Sequence, residues 1–221
     1  PEMSRGLGDV YKRQSQTKPV TAAALMALAD DGAVALDDPV SKYVPELKNM
    51  RVRSEEAVPD GKLTLRAILC HTAGFAAMPP ESSMPKLDAV PLSEQMKVFA
   101  KMPLEFFPGE RYLYSNIGVN IIGRVIEAAS GTPYAEFVQK RILEPLGMRD
   151  TSFFPSARQA SRIASAYVAD ASGNGFKRAS VPFFTYPLDS PGREPLPAGG
   201  LFSTAEDILK FCRMLADGGV C

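Results

Sequence analysis

Ser15 and Lys18 stand three positions apart at the head of an amphipathic run, and Tyr114-Ser115-Asn116 follows roughly a hundred residues later. These residue types suit nucleophilic catalysis with a lysine as base. A serine hydroxyl attacks a carbonyl only when a neighbour takes its proton, and a lysine can take it only while neutral. Free lysine has a pKa of about 10.4, so burial or a nearby cation must lower it. On a helix, residues i and i+3 share a face, about 5–6 Å apart at Cβ, so Lys18 can lean back over Ser15. The unpaired N–H groups at a helix start also favour the negative charge that grows as serine attacks.

Ser-x-x-Lys alone is weak, since a chain of this length holds roughly one by chance. A second copy, Ser83-Met84-Pro85-Lys86, has a proline between its members and lies in a proline-rich stretch without apolar period, so no helix presents the pair. In the first copy Pro19 falls in the opening turn, where its missing N–H is harmless. Val20, Ala23, Ala24, Ala27 and Leu28 then make one stripe, and Asp30-Asp31-Gly32 ends the run. Read singly, each residue also has an ordinary use. Ser15 fits a helix N-cap, Lys18 a solvated surface charge, Tyr114 an aromatic core residue and Asn116 a turn or cap residue.

His71 is the only histidine. That excludes a histidine-built zinc cage, and it excludes a Ser-His-Asp triad unless His71 alone serves Ser15 or Ser115. Its setting, Leu69-Cys70-His71-Thr72-Ala73-Gly74, reads as a helix end turning through glycine, where the ring ties down a loop. The lysine-based reading accounts for Lys18 and Tyr114 together and is preferred.

Several segments, in order, resemble the β-lactamase-related serine hydrolases, which include class C-type β-lactamases, D-alanyl-D-alanine carboxypeptidases and family VIII carboxylesterases. The run from Ser15 to Leu47 looks like the family's nucleophile helix and the segment after it. Leu63-Thr64-Leu65-Arg66-Ala67-Ile68-Leu69-Cys70-His71-Thr72-Ala73-Gly74-Phe75 is similar to its TIRHLLTHTSGL stretch, and Pro108 to Asn116 carries its Tyr-x-Asn element. Glu144 to Thr151 and Ala198 to Asp207 match two further landmarks. The resemblance implies Ser15 as the acylated nucleophile, Lys18 as proton acceptor, and Tyr114 as second general base or acid. It implies Asn116 as a hydrogen-bonding partner of Lys18 and of the substrate amide, and no metal or organic cofactor.

The fold that would hold these residues is implied by the same resemblance. Its class is α+β, a serine β-lactamase/transpeptidase-like fold whose helices pack on an antiparallel sheet with strands from both termini. Here it would be a fragment dominated by the helical region, with most of that sheet missing. Helices are expected at about Thr17–Asp30, Leu63–Leu69, Leu92–Lys101, Ile117–Ser130, Tyr134–Leu143 and Ala205–Asp217, with Gly131 and Gly147 as stops. Asp150 to Pro197 reads as loops with short strands, and Phe183-Phe184 and Tyr186 as part of a substrate rim. Pro1–Gln14 resembles translated adapter read-through and is set aside as non-native, leaving 15–221 as a partial catalytic domain. The family's Lys-Thr-Gly or His-x-Gly strand, with its second oxyanion N–H, would lie beyond Cys221, so this chain alone is expected to be inactive and poorly stable.

Composition sets limits. The 221 residues suffice for one domain, and 25 basic residues balance 25 acidic ones, so nothing points to nucleic acid. No apolar run of 18 or more residues suggests a membrane span in this segment. Cys70, Cys212 and Cys221 lack metal-ligand spacing, and the first two read as buried apolar residues. Periplasmic, secreted and cytoplasmic locations stay open. The expected activity is hydrolysis of a small ester or amide through an acyl-enzyme, because the Ser-x-Thr-Lys-Pro-Val and Pro-Ala-Gly-Gly-Leu-Phe-Ser-Thr-Ala wording resembles esterase-like members. β-Lactam hydrolysis, D-alanyl-D-alanine carboxypeptidase action and non-catalytic penicillin or peptidoglycan binding are the alternatives.

Overall fold

A computed structural model describes residues 9–84, 86–170, 173, 175–180, 184–188, 190 and 192–219. β1 (Tyr11–Lys12) leads through a 3-10 turn at Gln14–Gln16 into α1 (Thr17–Asp30). α2 (Leu65–Leu69) and α3 (Leu92–Phe99) precede α4 (Asn116–Ser130), and α5 (Tyr134–Val138) continues into a π-helical turn, Gln139–Leu143. The short α6 (Ala157–Ala160), strands β2 (Ala166–Ala169), β3 (Phe176–Ala179) and β4 (Phe202–Ser203), and α7 (Ala205–Ala216) complete the order.

The helix-rich architecture with little sheet agrees with the α+β fragment expected. β1 pairs antiparallel with β4, Tyr11 opposite Ser203, and β2 with β3, Ala166 opposite Ala179. α4 is the centre. The Ser115 hydroxyl caps it by accepting from the Gly118 N–H at 3.0 Å, and Gly131 ends it in the left-handed region at φ 68°, where a side chain would be strained. Ile117, Ile121, Ile122, Val125 and Ile126 are all buried on it, and α1, α2, α3 and α5 pack against it. Nine positions of α4 are buried, so this helix is surrounded by protein and its apolar residues are not confined to one narrow stripe.

Part of the segment set aside in the sequence reading packs on the domain. Val10 is fully buried, its N–H donates to Arg162 O, and Arg13 N–H donates to Leu201 O. Backbone pairing is largely indifferent to side-chain identity, so a short strand can form there whatever its origin.

The structure corrects several expectations. Cys70 and Cys212 are exposed: Cys70 is the residue that closes α2, and Cys212 lies on the outer side of α7, whose buried residues are Asp207, Phe211 and Met214. Phe184 is fully buried and faces Phe202, ring centroids 5.7 Å apart, so it belongs to the core and not to a substrate rim. Phe183 lies outside the described residues, and Tyr186 is exposed. The buried stripe of α1 is rotated towards Thr21 and Leu25, leaving Ala23 and Ala27 half-buried. Thr21 turns inward because its hydroxyl meets Tyr134 Oη at 2.7 Å and donates to Pro197 O at 2.9 Å. The missed α6 begins with a capping box between Ser156 and Gln159.

Candidate active site

Four pieces of chain meet at one point: the start of α1, the loop after α2, the entry to α4, and the turn Pro197–Leu201. Ser15 sits in the 3-10 turn that opens the helical run, and no side-chain cap bond is made there. Its exposed hydroxyl meets two partners. Lys18 Nζ lies 3.2 Å from Ser15 Oγ, and the Tyr114 hydroxyl donates to that oxygen at 2.6 Å. The sequence-singled residues Ser15, Lys18, Tyr114 and Asn116 are thus brought together.

Lys18 Nζ also donates to Asn116 Oδ1 at 2.8 Å and to Ala198 O at 2.6 Å, and sits 4.7 Å from the centroid of the Tyr114 ring. Burial pushes its pKa below the ordinary lysine value, while the nearby Tyr114 hydroxyl pulls the other way. The net lowering is the direction a proton-accepting amine needs. Asn116 uses its amide oxygen on Lys18 and turns its NH₂ to Ala77 O at 3.3 Å and Met78 Sδ at 3.1 Å.

The Tyr114 segment is held by the loop after α2. Leu113 N–H donates to His71 O, Ser115 N–H to His71 Nδ1, Ser115 Oγ to Ala76 O and Asn116 N–H to Ala77 O. That loop turns at Gly74, where φ is +86° and an added Cβ would run into the Phe106 carbonyl. His71 therefore ties down a loop, as its sequence setting suggested.

The turn Pro197–Leu201 is fastened to one face of α1. Thr17 Oγ1 accepts from Leu201 N–H at 3.1 Å, Lys18 donates to Ala198 O, and Thr21 donates to Pro197 O. From the other side Ala198 N–H donates to Asn120 Oδ1 at 3.1 Å, Asn120 Nδ2 to Gln95 Oε1 at 2.9 Å, and Gln95 Nε2 to Leu87 O at 3.0 Å and Val90 O at 2.8 Å. Asn120 and Gln95 are fully buried. Sequence reading missed Ala198 and this amide pair. Asn120 did carry a signal, a polar amide inside the apolar run Ile117 to Ile122, whereas a backbone carbonyl carries none.

A pocket of about 100 Å³ opens beside Ser15, walled by Met78, Leu87, Leu196 and Ala198 with Asn116 at its rim. The residues leading into Ser15 fit their place poorly. Gln14 has φ 43° without being glycine, and Arg13 has Nε and Nη2 buried without a partner. Burial lowers the Arg13 pKa accordingly. Among the described residues no cluster of His, Cys, Asp and Glu is placed to hold a metal ion, and no helix is long and apolar enough to cross a membrane.

A family model described as Beta-lactamase matches residues 9–220. The chain is 31% identical over 229 residues to lovastatin esterase of Penicillium rubens, covering 97% of this chain and 57% of that protein. It is 30% identical over 207 residues to the D-alanyl-D-alanine-carboxypeptidase/endopeptidase AmpH of Escherichia coli K12, covering 93% and 48%. The structure superposes on a D-amino acid amidase from Ochrobactrum anthropi SV3 with a TM-score of 0.77 at 26% identity, covering 99% of this chain and 59% of that one. The chain spans about half the length of the curated relatives it matches.

Proposed function

Since this chain belongs to the beta-lactamase family, whose members are hydrolytic serine enzymes, we propose that in the whole protein this site transfers the acyl group of a small ester or amide to Ser15 and then to water. The observation that carries this reading is one oxygen between two proton-handling groups: Ser15 Oγ lies 3.2 Å from Lys18 Nζ and 2.6 Å from Tyr114 Oη. As Oγ bonds to the substrate carbonyl carbon, its proton passes to the neutral Lys18 amine, and the carbonyl oxygen takes up the negative charge near the start of the helical run. Collapse of that intermediate breaks the bond to the leaving group, which takes a proton from the Tyr114 hydroxyl. Water then attacks the acyl carbon, loses a proton to the same groups, and Oγ regains its own as the acid departs.

An uncharged acyl chain fits best, because the pocket walls are Met78, Leu87, Leu196 and Ala198 and its other lining residues are uncharged. The identity with lovastatin esterase supports an ester. The likeness to a D-amino acid amidase supports a second reading, hydrolysis of a D-amino-acid amide.

Intact-mass and peptide mapping after exposure to a fluorophosphonate, a short-chain nitrophenyl ester, a D-amino-acid amide and a chromogenic cephalosporin would decide. Each readout needs a single modification of the nucleophile, phosphonylation by the fluorophosphonate with loss of fluoride or acylation by the other three. Modification is expected at Ser15, absent from Ser15→Ala, and faster with the ester than with the others. Adducts on another serine would refute the nucleophile, and faster modification by the amide or the cephalosporin would replace the ester.

A further inference from the structure

We propose that His71 is the positioning residue for Tyr114, and that it works as a neutral imidazole with its proton on Nε2. The contact is two-sided. Leu113 N–H donates to His71 O at 2.8 Å and Ser115 N–H to His71 Nδ1 at 3.2 Å, so Tyr114 is bracketed by two bonds to one residue. The imidazole also lies against the Tyr114 ring, centroids 4.8 Å apart, and meets the edge of Tyr112 at 5.9 Å. His71 has φ +58°, a left-handed conformation uncommon outside glycine. A residue held there while gripping the next segment from both its backbone and its ring is fixed by the surrounding loop.

Chemistry selects the protonation state. Nδ1 can accept from Ser115 N–H only while it carries no proton, and imidazolium has no lone pair to offer. Protonation would set one N–H against another and place a cation near Lys18. The titratable groups placed against the ring are Lys18 from α1 and Tyr112 and Tyr114 from the segment entering α4; none is a carboxylate that would favour the cation. Burial, and after it the Lys18 charge, hold the His71 pKa below its ordinary value. Acidification should therefore release Tyr114 before the fold as a whole is lost.

The inference rests on the proposed action of Tyr114 at Ser15, so its test has an arm that needs no reactivity. His71 is the only histidine, and a chain labelled with ¹⁵N-histidine shows one imidazole. Its shifts should report the Nε2–H form with an acceptor Nδ1, titrating below about 6.5, and Lys18→Met should raise that titration. In the second arm, His71→Asn offers an amide oxygen near the place of Nδ1 and tolerates a left-handed backbone, whereas His71→Ala offers no acceptor. Fluorophosphonate labelling of Ser15 should slow about tenfold or more in the alanine variant, within the range a small misplacement of a reacting group costs. The asparagine variant should restore most of the rate and lose only the extra steepening of the acid fall that follows His71 protonation, keeping the limb set by Lys18. An Nδ1–H tautomer, an asparagine variant as slow as alanine at equal helix content, or an acid limb as steep in the asparagine variant as in the parent chain would each overturn the proposal. Absence of labelling in the parent chain would refute the nucleophile alone, and the tautomer would still decide the His71 contact.

Discussion

Lys18 has three acceptors in reach, Ser15 Oγ, Asn116 Oδ1 and Ala198 O, which is what a charged ammonium with three protons satisfies. Loss of one proton leaves a lone pair beside Ser15 Oγ, and the lowered pKa brings that loss closer to neutral pH. The neutral fraction grows as pH rises, so acylation of Ser15 should rise with pH through a window below the ordinary lysine value. Lys18→Met should lower the acylation rate about 10²–10⁴-fold and abolish that rise, read by labelling rate against pH. The linkage has a matching sign. The unfolded chain holds this proton more tightly than the folded one, so the Lys18 burial cost is full below the folded pKa and is relieved as pH climbs towards the free value. The grouping of Ser15, Lys18, Tyr114 and Asn116 was legible because side-chain types recur at helical spacing and in family order. Ala198 was not, since it contributes only a backbone oxygen, and Asn120 would have needed its polar amide weighed against the isoleucines around it.

The helices were legible in the sequence because period and stop signals are local, and Gly131 ends α4 where expected. The stretch from Asp150 to Pro197 was legible as loops with short strands, as β2 and β3 bear out, but what orders it was not, because its partners lie far away in the chain. Asp88 and Arg193 form a buried ion pair at 3.1 Å, with side chains 0% and 2% exposed. Asp88 also accepts from the Thr185 N–H and hydroxyl, and Arg193 Nη1 donates to Leu188 O at 2.8 Å. This pair pins the segment before the Pro197 turn to the 3-10 turn Leu87–Ala89, whose Leu87 walls the pocket. Arg193→Met should cost about 3–5 kcal/mol in urea unfolding, because it strands a buried carboxylate. Adding Asp88→Asn should recover part of that loss. A single-variant cost near zero would mean that the segment is held by its apolar contacts alone. The two cysteines show the reverse limit of sequence reading: their composition suggests burial, and the orientation of α2 and α7 decides otherwise.

At the scale of the molecule, one side is open. Met26 on α1 is 41% exposed, and Leu215 on α7 is 51% exposed. A groove of about 620 Å³ runs between α1, the π-helical turn and α7, lined by Pro19, Ala23, Met26, Ile142, Leu146 and Met214 among others. Contiguous apolar surface of this kind promotes association in water. The chain should bind a hydrophobic dye strongly and associate as concentration rises, while Met26→Lys with Leu215→Glu should reduce both and leave helix content unchanged by circular dichroism. Dye binding unaffected by the pair would place the open surface elsewhere. The turn at Ala198 has a different reach. Both its backbone groups are committed, the N–H to Asn120 and the carbonyl to Lys18, and its side chain is already a methyl. An alanine scan of the whole protein would pass over this position in silence. Exchanging the 198–199 peptide bond for an ester weakens the carbonyl as an acceptor for Lys18 and also removes the Gly199 N–H that donates to Leu196 O at 3.0 Å, so the lowered Lys18 pKa, not stability, is the readout that reports its contact.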